Sequence, residues 1–231
     1  DEPIYVQYIK YIQNLFTFQF GISLTQQRPV GNIIIPALVN TMVLLLPALI
    51  ATAIVSSLAG MYAGWNRGSW FEQSSIVITT VFRATPIFVT GIFLLIIFSY
   101  GLGWLPAFGM RSALANPDGY LDTYLSVDFL KHYILPFSAT VLFYSGDFLM
   151  LARNSVVERM GSEFLMLHRA KGLSEMEQLG RAGRNSLLPL VTYFALRTGM
   201  LFQGVITLEV VFAWPGIGRA LVQAILNQDY P

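Results

Sequence analysis

The chain has 231 residues, of which 55% are apolar and only 12% charged, and fourteen Lys and Arg against thirteen Asp and Glu leave a net charge of +1. A soluble domain carries roughly 25% charged residues, so the composition excludes a soluble enzyme, and the near-neutral charge gives no basis for capturing nucleic acid. Cysteine is absent, which excludes a disulfide framework, cysteine-ligated zinc and thiol catalysis, and the two histidines, His132 and His168, stand on separate segments.

The first thirty residues lack a basic stretch followed by an apolar core, so no signal peptide is expected. The start at Asp1 and the end at Pro231 are those expected of a piece of a longer chain. Residues 4–20 alternate at helical spacing. Tyr5, Tyr8, Ile9, Ile12, Leu15 and Phe16 share one side, and Gln7, Lys10, Gln13, Asn14 and Thr17 share the other. Two placements fit that pattern: a helix lying in the membrane interface, or a short return into the protein surface.

Pro29 to Asn66 and Ala84 to Met110 contain no Lys, Arg, Asp or Glu. A hydrocarbon core of ~30 Å needs about 20 such residues. Four spans are predicted, over 33–63, 74–100, 133–152 and 187–213. The chain therefore reads as one all-α domain over 1–231, a polytopic transmembrane helix bundle. Every span holds proline: Pro36 and Pro47, Pro86, Pro136, and Pro189 in the first turn of the last. Prolines within lipid free carbonyls that neighbouring helices or water must satisfy, which implies a packed bundle. Ser56, Gly60 and Gly64 recur every four residues, a stripe along which another backbone can approach closely.

The loop 153–186 carries Arg153, Arg159, Arg169, Lys171, Arg181 and Arg184, whereas 101–131 has only Arg111 and Lys131 beside Asp118, Asp122 and Asp128. The excess of cations places 153–186 in the cytoplasm and 101–131 outside. Within the cytoplasmic loop, Ser162 can cap a helix that begins with Glu163, ends with Arg169 and Lys171, and stops at Gly172. Ser174 and Glu177 then form the S-x-x-E capping box of a second helix. The loop thus reads as helix–glycine–helix. That shape suits a docking element, and equally a basic hairpin that only fixes topology.

Ionisable residues also fall inside the spans: Arg83, Asp147, Arg197 and Glu209. A charge at the bilayer centre costs at least ~2.5–3.5 kcal/mol, so it faces a cavity or a partner. Arg83 and Arg197 fall roughly 13–15 Å, and Asp147 roughly 8 Å, from the cytoplasmic ends of their spans. They are candidate pathway or gate charges, with Asp147 pairing to one of the arginines. Wet or backbone-bonded charges at overlong helix ends are the other reading. Glu209 is expected at the outer interface. A membrane protease is excluded because no second intramembrane Asp and no histidine within a span exist to serve a catalytic centre. No G-x-x-x-x-G-K-[ST] phosphate loop occurs, so no cofactor site is expected in this chain.

Arg169-Ala170-Lys171-Gly172-Leu173-Ser174, continuing to Glu175, with Arg184-Asn185-Ser186-Leu187-Leu188-Pro189 downstream, resembles the coupling loop of ABC importer permeases. The closest likeness is to the branch importing dipeptides, oligopeptides, nickel or glutathione. Gly21-Ile22-Ser23, Arg28-Pro29-Val30, Arg83-Ala84-Thr85-Pro86, Gly103-Trp104-Leu105-Pro106, Phe212-Ala213-Trp214-Pro215-Gly216-Ile217-Gly218 and Asp229-Tyr230-Pro231 match in order. Met166, Leu167 and His168 stand where the broad importer signature has Glu-Ala-Ala, as the peptide branch tolerates.

The resemblance implies a type I importer permease without enzymatic activity of its own, lacking here the family's first and sixth spans. It implies a bacterial or archaeal cytoplasmic membrane. The implied partners are two ATPase subunits holding ATP and Mg, a second permease subunit and an extracytoplasmic binding protein. Arg169 to Glu175 would enter the ATPase groove, and the Trp214-Pro215-Gly216 turn with loop 101–131 would meet the binding protein. Peptide is the expected cargo, with nickel and glutathione as alternatives. A truncated, non-transporting scaffold and an ATP-independent channel or carrier are the alternatives of other classes.

Overall fold

A computed structural model describes residues 3–113, 119–160, 162–163, 171–185, 187–200 and 204–230. Its helices are α1 (Ile4–Phe16), α2 (Gly31–Trp65), α3 (Trp70–Ala84), α4 (Ile87–Leu94), α5 (Tyr120–Leu125), α6 (Val127–Met160), α7 (Glu175–Asn185), α8 (Leu187–Gly199), α9 (Val205–Val211) and α10 (Ile217–Leu226). α4 runs on as a π-helical turn through Leu95–Gly101.

The bundle is organised around α2 and α6, each long and apolar enough to cross a membrane. α2 has 35 residues, roughly 52 Å at 1.5 Å per residue, so it tilts or protrudes beyond a ~30 Å core. Its small-residue stripe faces α6. A Cβ on Gly60 would meet the Leu149 carbonyl oxygen, and one on Gly64 would come within 2.7 Å of the Arg153 carbonyl oxygen. Glycine is therefore what lets the two backbones touch. Near the C-terminal ends of α2 and α6, Arg153 of α6 donates from Nε to Glu72 Oε1 at 2.7 Å, tying α3 to the same pair.

The segment predicted as a single span over 74–100 is two helices. α3 stops at Ala84, Thr85 is extended, Pro86 offers no N–H, and the chain bends by 107° before α4. The segment over 187–213 is likewise divided, because Gly204 adopts φ +80°, which a continuous α-helix cannot include. Two apolar clusters hold the halves together. One, around Trp214, gathers Leu44, Ile87, Phe129, Leu208, Phe212 and Trp214. The other, around Phe148, gathers Leu45, Leu49, Phe148, Ala152, Leu190 and Val205.

α1 buries no residue and presents Ile4, Tyr5, Tyr8, Ile9 and Phe16 to the surroundings. α7, by contrast, is seated beneath the bundle. Ala182 is fully buried and Gly183 abuts Met61 of α2, where a Cβ would lie 2.9 Å from its sulfur.

Candidate functional site

Three places carry polar chemistry. The first is the turn that leads into α7. Gly172 has φ +74°, the left-handed region that glycine enters without a Cβ clash. The capping box predicted from sequence is formed. The Ser174 backbone N–H donates to Glu177 Oε2 at 2.9 Å, and the Glu177 N–H donates to Ser174 Oγ at 3.4 Å. The Ser174 hydroxyl donates to the same carboxylate at 2.7 Å and, with the Ser174 N–H, holds its pKa below the ordinary value. Gln178 Nε2 donates to the Leu173 carbonyl at 2.7 Å and stiffens the turn. Lys171, Gly172, Ser174 and Glu175 are exposed and Leu173 is half-buried. Arg169 and Ala170, with the expected helix between Ser162 and Lys171, lie outside the described residues.

The second place lies within the membrane segments and brings Arg83, Asp147 and Arg197 together. Arg83 Nε pairs with Asp147 Oδ1 at 2.8 Å. Arg197 Nη2 pairs with Asp147 Oδ2, and the Tyr193 hydroxyl donates to the same oxygen at 2.5 Å. Arg197 also lies against the rings of Tyr193 and Tyr144, 5.1 and 5.6 Å from their centroids. One carboxylate thus bridges two arginines, joining α3, α6 and α8. Sequence reading missed both tyrosines. A signal was available: Tyr193 lies four residues before Arg197 and Tyr144 three before Asp147, spacings that share a helix face.

The third place is the turn after α9. Trp214 is fully buried, and its indole Nε1 donates to the Asn40 carbonyl at 3.0 Å. Asn40 Nδ2 donates to the Pro215 carbonyl at 2.9 Å, and Tyr124 donates to Asn40 Oδ1 at 2.8 Å. Of Trp214, Pro215 and Gly216 only Pro215 is exposed, so within this turn the indole anchors the loop and is not itself available to a binding protein. Glu209, expected at the interface, is fully enclosed. Its carboxylate accepts from Thr41 Oγ1 at 2.5 Å and from the Arg219 N–H at 3.0 Å, capping α10. The sequence placed Glu209 by depth alone and gave no sign that a helix would start eight residues later and point its N–H groups at it.

Motifs scattered along the chain meet beside α10. Gly21-Ile22-Ser23 pairs with Arg28-Pro29-Val30, Ser23 N–H donating to Arg28 O and Val30 N–H to Gly21 O, both at 3.0 Å. Asp229 closes this bridge, accepting from Ser23 Oγ at 2.5 Å, Leu24 N at 2.8 Å and Thr25 Oγ1 at 2.7 Å. These donors, Ser23 foremost, lower the Asp229 pKa below its ordinary 3.8. The tie is accordingly complete above pH 3.8 and is lost as pH falls through the lower folded value. Asp229→Asn is expected to speed amide hydrogen exchange across 22–30 at pH 7. In the native chain the same rise appears only on acidification below the ordinary carboxylate value.

Long apolar helices, a sharp helical break within an apolar stretch and charges paired between helices mark a multi-pass membrane protein. The chain matches, over residues 56–231, the family described as binding-protein-dependent transport system inner membrane component, and it belongs to that family. Over its full length it is 35% identical to the dipeptide transport system permease protein DppB of Alkalihalophilus pseudofirmus, covering 73% of that protein. It is 33% identical to the di/tripeptide transport system permease protein DppB of Pseudomonas aeruginosa, covering 72%. It is also 33% identical to the glutathione transport system permease protein GsiC of Shigella flexneri, covering 70%. The resemblance read from the motifs is thereby shown: the chain is a permease subunit of an ABC importer, with the all-α fold of that class.

Proposed function

We propose that this subunit forms half of a translocation path that imports di- or oligopeptides across a bacterial cytoplasmic membrane, driven by ATP hydrolysis on partner subunits. The observation that carries the cargo is full-length similarity to permeases named for dipeptides and di/tripeptides. Similarity to a glutathione permease supports a second cargo of the same chemistry, itself a short peptide.

In this reading an extracytoplasmic binding protein delivers peptide to the outer face formed by the 21–30 bridge, Pro215 and loop 101–131. A second permease subunit completes the path, and two ATPase subunits bind ATP and Mg. Arg169 to Glu175 enters an ATPase groove. Movement there is transmitted through α7, which is capped by Ser174 and Glu177 and seated against α2 and α6, and it rocks the long helices between outward and inward access.

The test is uptake by the full-length permease assembled in liposomes with the permease, ATPases and binding protein encoded beside it. Labelled dipeptide, glutathione and nickel are compared. ATP-dependent accumulation of dipeptide supports the reading, and accumulation of glutathione alone selects the second cargo. Uptake of nickel without peptide overturns both, and a complex that assembles but moves none of them is a scaffold.

A further inference from the structure

We propose that Arg83, on the open side of the Asp147 cluster, binds the carboxylate of the peptide in transit. This rests on the peptide reading above and adds a site within the path. Charge count is the first support. Asp147 spends one oxygen on Arg83 and the other on Arg197 and Tyr193. Among the described residues no second acidic side chain pairs with either arginine, so one positive charge is left over. Arg83 lies thirteen residues into α3, roughly 20 Å along the helix from Trp70. Hydrocarbon cannot solvate a surplus cation at that depth.

The second support is which arginine is open. The Asp147 side chain is 10% exposed and Arg197 27%, the latter partly covered by two tyrosine rings, whereas Arg83 is 58% exposed. Only its Nε is engaged among the described residues, which leaves both Nη groups as outward donors. A guanidinium with two free N–H edges suits a carboxylate in a two-pronged, charge-assisted contact.

The third support is the backbone around it. α3 ends one residue after Arg83, Ala84 and Pro86 are exposed with Thr85 half-buried between them, and the chain turns there by 107°. Irregular backbone at membrane depth survives only against protein or water. The end of α3 and the start of α4 meet at this bend, so their opposite dipole ends largely offset and the arginine sets the sign. Arg197 likewise lies in the last turn of α8. Two interrupted helices bearing charge at one depth make a water-lined station of the kind that holds ionic groups of a substrate. A dry contact with an acidic side chain of the second permease subunit would not satisfy the open backbone as well.

The experiment uses the assembled importer in liposomes and two forms of one apolar dipeptide, the free acid and the C-terminal amide, each saturating the binding protein. Wild-type, Arg83→Gln and Arg83→Lys complexes are compared by initial uptake. Arg83→Gln is expected to lower uptake of the acid about tenfold more than uptake of the amide. Arg83→Lys, which keeps charge but not the fork, is expected to shift that ratio part of the way, and it decides the matter if Arg83→Gln fails to assemble. Equal losses for acid and amide overturn the carboxylate site and point to pairing with the second permease subunit. Unchanged uptake of both also overturns it. Import of neither form by the wild-type complex overturns the peptide reading itself.

Discussion

Replacing Glu209 by alanine is expected to destabilise the part of the bundle around Trp214 by about 3 kcal/mol. The carboxylate is fully buried and is the meeting point of three elements: Thr41 of α2, α9 on which it rides, and the first turn of α10. Thr41 in turn accepts from the Ile217 N–H at 2.9 Å, so removing Glu209 disturbs both side chains that serve the start of α10. Their donors would be left in a closed space without water, which costs more than the bonds themselves contribute. Glu209→Gln keeps the shape and one acceptor, so its loss should be smaller. Hydrogen exchange of residues 214–219 in detergent checks this. Alanine should release those amides while the part of α6 around Phe148 and Ala152 stays protected, and unchanged protection would show that Glu209 does not hold the turn.

Gly172→Trp is expected to leave the subunit inserted and assembled but to abolish stimulation of ATP hydrolysis by peptide-loaded binding protein. A Cβ at Gly172 would meet nothing within 4 Å among the described residues, so a side chain here sets out into open space, where an indole would obstruct a docked partner. The backbone contributes separately, since φ +74° strains any side-chain-bearing residue by roughly 1–2 kcal/mol. Gly172→Ala carries the same strain without the bulk and isolates that cost. Alanine should keep most of the stimulation and tryptophan almost none. Equal behaviour of the two would assign the loss to the turn's conformation and remove the argument for an ATPase groove at this point.

The parts legible in the sequence were those fixed by local chemistry. Ser174 and Glu177 announce their helix because both halves of a capping box lie three residues apart, and the structure forms those bonds. The charge-free runs and the Ser56-Gly60-Gly64 spacing pointed to α2 and its close approach to another backbone. What could not be read was pairing at long range. Arg83, Asp147 and Arg197 were each conspicuous, yet only folding shows one carboxylate shared by two arginines across 64 and 50 residues. Asp229 and Ser23 lie 206 residues apart and meet through a single short bond. The breaks were half visible. Pro86 signals an interruption without its angle, whereas the turn at Gly204 lies in an apolar run where glycine is as well explained by packing. Burial of Trp214 and Glu209 was hidden because depth along a span says nothing about which side faces protein.

The most direct test of the account is ATP hydrolysis by the complete assembly in liposomes, measured with the binding protein empty and with it loaded with dipeptide. The coupled-permease account predicts low turnover with the empty protein and a rise of several-fold with peptide, lost in Gly172→Trp and retained in Gly172→Ala. Hydrolysis that ignores the loaded binding protein, in a complex that remains assembled, would contradict it.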